Sequence, residues 1–164
     1  MTKVTPISQR KSDHININLE KDVKSSLTTG LERFQFIHEA LPEIDLDKVD
    51  TSLSLFKKKL YAPILISSMT GGTKEAEKIN MYLAEAAQET GVAMGVGSQR
   101  VMFTNPQARS SFELREFAPG ALLFANIGAV QLNYGLTAAD CQQAVDVLQA
   151  DGLYLHFNPL QEAV

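Results

Sequence analysis

Four short polar clusters, each closing an apolar run, hold the residue types that could do chemistry in this chain of 164 residues. They read Ser67-Ser68-Met69-Thr70-Gly71-Gly72, Ser98-Gln99-Arg100, Asn126-Ile127-Gly128 and His156-Phe157-Asn158-Pro159-Leu160-Gln161-Glu162. Hydroxyls and amides with one arginine, one histidine and one carboxylate suit an uncharged conjugated cofactor beside an anionic, metal-bound substrate. The clusters contain neither a Ser-His-Asp set nor a Cys/His metal cage.

Each cluster taken singly has a plainer reading. Gly71-Gly72 either lets the backbone approach a planar or phosphorylated ligand or makes a tight βα turn. In Gly95-Val96-Gly97-Ser98-Gln99-Arg100 an arginine stands where a dinucleotide loop needs its third glycine, which rejects a Rossmann fingerprint. Arg100 is then an anion anchor or a solvated loop charge. Asn126 lies inside an apolar run, where an unpaired amide costs about 1–3 kcal/mol, so it satisfies a neighbouring loop or reads a ligand edge. His156 poses the same choice between structure and catalysis. Glu162 is a first-turn helix acid or, beside Asn158 and Gln161, a ligand for a hard cation such as Mg²⁺. Four run ends with polar groups at one edge favour a shared site over chance.

The runs themselves are Ala62–Ser67, Val92–Ser98, Ala121–Ile127 and Gly152–Asn158, and they start 30, 29 and 31 residues apart. That period is one βα unit, and in parallel α/β folds the chemistry sits where strands end. Thr73 can cap the first intervening helix, with Ile79, Leu83 and Ala86 on one face and Gly91 as its stop. Asn105-Pro106 opens a second helix, and Thr137 with Asp140 has capping-box spacing for a third. Strands apolar on both faces imply a parallel sheet covered by helices. A (β/α)8 barrel takes about 250 residues, so four units amount to half of one.

Residues 1–61 read as an N-terminal arm, a helix and an edge hairpin, and residues 62–164 as the first half of a barrel. Residues 1–24 are polar and irregular, with Ile15-Asn16-Ile17-Asn18-Leu19 alternating. Leu31, Phe34, Ile37 and Leu41 have helical spacing up to Pro42, which predicts an amphipathic helix against the barrel body. Residues 50–61 predict a hairpin or edge strand.

A net charge of −4 argues against a general nucleic-acid binder. The single cysteine, Cys141, excludes an internal disulfide, and no leading apolar segment resembles a signal peptide, so the expected compartment is cytoplasmic. No apolar stretch reaches the roughly 20 residues of a membrane span.

Five ordered motifs carry a resemblance: Arg10-Lys11-x-Asp13-His14-Ile15, Ser67 to Gly72, Gly97-Ser98-Gln99-Arg100, Asn126-Ile127-Gly128-Ala129, and His156-x-Asn158-Pro159-Leu160-Gln161-Glu162. Through them the chain resembles the N-terminal half of the type 2, FMN-dependent isopentenyl-diphosphate isomerases. The resemblance implies a (β/α)8 (TIM) barrel with FMN at its C-terminal face, lined by Ser68, Met69, Thr70, Ser98 and Asn126. It implies that Arg10, Lys11, Ser98, Gln99, Arg100 and Asn158 grip a diphosphate substrate, that Gln161 sits at its isoprene end, and that Glu162 holds Mg²⁺. His156 would stand close to both ligands, so the catalytic pair would be Gln161 and His156. The implied reaction turns isopentenyl diphosphate into dimethylallyl diphosphate, with NADPH needed only to reduce the flavin. A homo-oligomer is expected of the complete protein, and this chain alone, without strands five to eight, is expected to be inactive. The competing readings are another FMN-dependent barrel oxidoreductase and a non-catalytic truncated product.

Overall fold

The computed structural model describes residues 6–158. Its centre is a parallel sheet of four strands, β3 (Leu65–Ile66), β4 (Ala93–Gly95), β5 (Leu123–Gly128) and β6 (Gly152–His156), in the order β3-β4-β5-β6. Each strand lies beside its predecessor in sequence, and helical segments fill the three crossovers, as a parallel sheet demands. An antiparallel hairpin, β1 (Leu53–Leu55) and β2 (Lys58–Leu60), precedes them and pairs Leu53 with Leu60. Its two turn residues, Phe56 and Lys57, both have positive φ, 51° and 63°, the geometry that matches the twist of a two-residue hairpin loop.

Local chemistry sets the crossover helices. In α2 (Lys74–Thr90) the Thr73 hydroxyl accepts the Ala76 N–H, and Gly91 ends the helix in the left-handed region at φ 65°. A buried stripe of Ala76, Asn80, Ala84 and Ala87 faces the sheet. In α4 (Ala138–Leu148) Thr137 and Asp140 form the reciprocal capping box. Between β4 and β5 the expected helix is replaced by a four-residue α3 (Val101–Thr104) and a 3₁₀ run, Pro106–Phe112, capped by Asn105. The tighter winding brings Ser111 and Phe112 down onto the β3–α2 loop, where the Ser111 hydroxyl accepts the Gly72 N–H at 2.8 Å.

Register assigns the faces. Met94, Leu123, Ala125 and Ile127 join α2 and α4 in the main core, while Ala93, Leu122 and Phe124 form a second cluster with Leu60 of the hairpin. Phe124 stacks on Tyr154 at 4.7 Å between ring centres and meets Phe56 edge-on at 5.3 Å. The hairpin is thereby fixed beneath the inner face of β5 and β6.

Two N-terminal expectations are corrected. The arm is not irregular: α1 (Pro6–Glu20) begins with proline at its first position and contains neither glycine nor a second proline. Ile15 and Leu19 belong to a helical row, not to a strand alternation. The amphipathic helix over Leu31–Leu41 is absent apart from a 3₁₀ turn, Leu31–Arg33, and Phe34, Ile37 and Leu41 stand 80%, 92% and 90% exposed. A helix that short needs a packed face to persist in water, and among the described residues nothing covers this one.

Candidate active-site cleft

The carboxyl ends of β3 to β6 open into a cleft of about 490 Å³. The strand-end residues Ser68, Met69, Ser98, Asn126, His156 and Asn158 line it, and α1 lies across it with Lys11 and His14. Parallel register explains the convergence. Asn126 pairs with Tyr154 and Gly128 with His156, so the inward positions of β5 and β6 share one face with Phe124.

On that face the imidazole Nδ1 of His156 lies 2.9 Å from Asn126 Oδ1. An amide oxygen only accepts, so Nδ1 donates to it, which leaves Nε2 as the ring's other polar atom. Asn126 in turn keeps its NH₂ as a donor. Burial pushes the phenol of Tyr154, two residues before His156, above its ordinary range, so it stays neutral.

Glycines shape the floor by admitting protein, not by leaving a void. A Cβ on Gly95 would lie 2.5 Å from Ser68 Oγ, and one on Gly97 would lie 2.5 Å from the Thr70 carbonyl oxygen. Gly97 N–H donates to that oxygen at 3.0 Å, which ties the β4 end to the β3 loop. Gly71 and Gly72 serve the tight-turn role: a Cβ on either would meet the Phe112 ring or Val101 within 2.6 Å.

The expected site residues therefore separate. Ser68, Met69, Ser98, Asn126, His156, Asn158 and Lys11 come together. Thr70 is buried and lines an adjoining apolar hollow of about 490 Å³ between α1 and α2. Gln99 is corrected: its side chain is fully buried, donating to the Ala144 carbonyl at 2.9 Å and accepting the Asn126 N–H at 3.1 Å. It joins β5 to α4, with both ends of its amide engaged inside the protein. Arg100 begins α3, half-buried, outside the cleft lining and without an ion pair among the described residues. Arg10 lies in α1 but its side chain is not among those described, and Gln161 and Glu162 fall outside the described residues.

Sequence reasoning gave His14 no role of its own, yet it lines both cavities. Its signal was the spacing Lys11, His14, Ile15, Asn18, Leu19, a helical row whose hydrophobic members alternate by accident.

The cleft fits an anionic ligand with a planar polar edge. Among the described residues its lining supplies hydroxyls, amides, two imidazoles and one lysine, and no carboxylate. Among the described residues no group of three His, Cys, Asp or Glu side chains could hold a metal ion. No described helix is long and apolar enough to cross a membrane.

Sequential parallel βα units with a cleft at the strand ends define a parallel α/β protein whose cavity lies at the carboxyl edge of its sheet. Its relatives are specific: isopentenyl-diphosphate delta-isomerase of Rickettsia akari (strain Hartford) is 58% identical over 153 residues, 93% of this chain. The same-named proteins of Rickettsia felis and Rickettsia prowazekii are 58% and 53% identical over 154 residues. The chain spans 45% of the length of each of these relatives. No protein-family model matches it.

Proposed function

We propose that this chain is the N-terminal half of an FMN- and Mg²⁺-dependent isopentenyl-diphosphate isomerase, its four βα units being the first four of a (β/α)8 barrel. The observation that carries the reading is the cleft at the strand ends, where Lys11, Ser68, Ser98, Asn126 and His156 converge. The names of relatives at 53–58% identity support it.

In this reading Ser68, Met69, Ser98 and Asn126 hold the flavin, with Thr70 positioned behind them by its carbonyl bond to Gly97. Arg10, Lys11, Ser98, Arg100 and Asn158 neutralise and orient the diphosphate, and Glu162 holds Mg²⁺ on it. Gln161 contacts the isoprene end. Asn126 holds His156 in its Nδ1–H form, so that Nε2 accepts a hydrogen bond from whichever ligand stands beside it. When bound in its reduced state FMN supplies the acid–base chemistry, with NADPH as its reductant. The double bond shifts as one allylic end gains a proton and the other loses one, with no net electron transfer. In this reading the 164-residue chain, which spans 45% of its relatives' length, has no isomerase activity alone.

Flavin fluorescence titration of the 164-residue chain, followed by an isomerase assay of the complete protein with reduced FMN and Mg²⁺, tests this. Turnover of isopentenyl diphosphate by the complete protein supports the reading. Flavin-dependent oxidation of a 2-hydroxy acid instead, or diphosphate binding without turnover, would replace it.

A further inference from the structure

The sheet has two free edges. Among the described residues β3 pairs only with β4, and β6 only with β5. Ile64 gives its carbonyl to the Ala93 N–H at 3.1 Å, so by strand alternation the N–H and C=O of the next residue, Leu65, face outward. Leu65 is 42% exposed, and at the opposite edge Leu155 and Phe157 are 43% and 86% exposed. Apolar edges without a Lys, Arg, Asp or Glu, short as β3 is, can pair with another strand.

We propose that the isolated chain closes on a second copy of itself, β6 of each copy pairing in parallel with β3 of the other, to form an eight-stranded barrel with two-fold symmetry. This rests on the half-barrel reading of the fold and not on the isomerase reading of the cleft.

Strand number and direction select this occupant. Four parallel strands in sequential order are half of the eight that close a barrel, and a two-fold along the barrel axis makes both new pairings parallel at once. An edge-to-edge contact between unlike edges closes after two copies and leaves no edge free. The hairpin permits it, because it covers only its own half. Phe56 packs on Phe124, and Lys58 Nζ donates to the Ala121 carbonyl at 2.7 Å and pairs with Asp151 at 3.1 Å. Each copy therefore brings its own floor.

Sedimentation equilibrium of the 164-residue chain at micromolar concentration should give twice the 18.0 kDa chain mass. Leu65→Pro removes the outward N–H and should return the mass to that of a monomer with the helical circular dichroism retained, while Leu65→Ala, which keeps the N–H, should remain a dimer. A wild-type monomer at all concentrations would assign these edges to the remainder of a longer polypeptide and overturn the proposal, as would an open-ended series of oligomers or a dimer insensitive to Leu65→Pro. Loss of dichroism in Leu65→Pro would shift the decision to the wild-type mass.

Discussion

Adjacent residues at the end of β4 have opposite fates, and the difference is one of direction. Gln99 points into the protein, where both ends of its amide are used and its burial is complete. Arg100 sits at the start of α3 with its charge unpaired among the described residues. Gln99→Leu should leave the Asn126 N–H unsatisfied, remove the extra bond to the helical Ala144 carbonyl and lower stability by about 1–3 kcal/mol, read from urea midpoints. Arg100→Ala should leave those midpoints nearly unchanged and, under the proposed isomerase function, raise KM for the diphosphate by a factor equivalent to roughly 1.5–3 kcal/mol. Equal stability loss in both variants would sink the division. The sequence cannot draw it, because Ser98-Gln99-Arg100 is a loop, and a loop has no periodicity to say which side chain faces inward. Asn126 was more legible. Its place in an apolar strand demanded a partner, and the partner is His156 at 2.9 Å.

Elements with strong local signals were readable: the four strands, the caps of α2 and α4, and the hairpin. Those whose form depends on a distant surface were not. The 3₁₀ run Pro106–Phe112 replaces an α-helix because Ser111 and Phe112 must reach the glycine pair of the β3 loop. No local pattern encodes that distance. The joint between hairpin and sheet was equally invisible, since it depends on Asp151. Its carboxylate accepts from the Leu123 N–H at 2.9 Å, from Lys58 and from Arg115, while Arg115 also caps the Ala118, Ala121 and Gln149 carbonyls. Desolvation, the largest single effect, opposes ionisation, but the Leu123 N–H with Lys58 and Arg115 outweighs it and holds the carboxyl below its ordinary range. A carboxyl depressed in the folded state contributes stability above its unfolded pKa, and that contribution is lost as pH falls through the folded value. Asp151→Asn should therefore cost about 1.5–3 kcal/mol at pH near 7 and progressively less below about pH 4. A difference between wild type and variant in urea midpoints that stays constant down to acid pH would remove the ion cluster from this role.

The whole molecule divides by burial more sharply than by sequence. From Leu53 onward the chain is tied by sheet register, caps and the Asp151 cluster, whereas the described segment between α1 and the hairpin is held by short turns, bonds between near neighbours and one donation from the Thr51 hydroxyl to the Tyr61 carbonyl. Its apolar residues are displayed: Leu27, Phe36 and Ile44 are 83%, 103% and 72% exposed. Amphipathic spacing predicted a helix here, and the spacing is real, but a stripe folds only against a surface that pays its ordering entropy. Proteases cut where backbone opens without breaking tertiary contacts. Trypsin should thus cleave after Arg33 and Lys48 well before Arg100 or Arg115, the latter holding four carbonyls and a carboxylate. Mass spectrometry of early digests should find a surviving fragment that begins near Val49 and keeps the four-stranded sheet. Early cleavage at Arg100 or Arg115 instead would mean that the sheet without a second half opens globally, and that the packed core from β3 to β6 does not hold on its own.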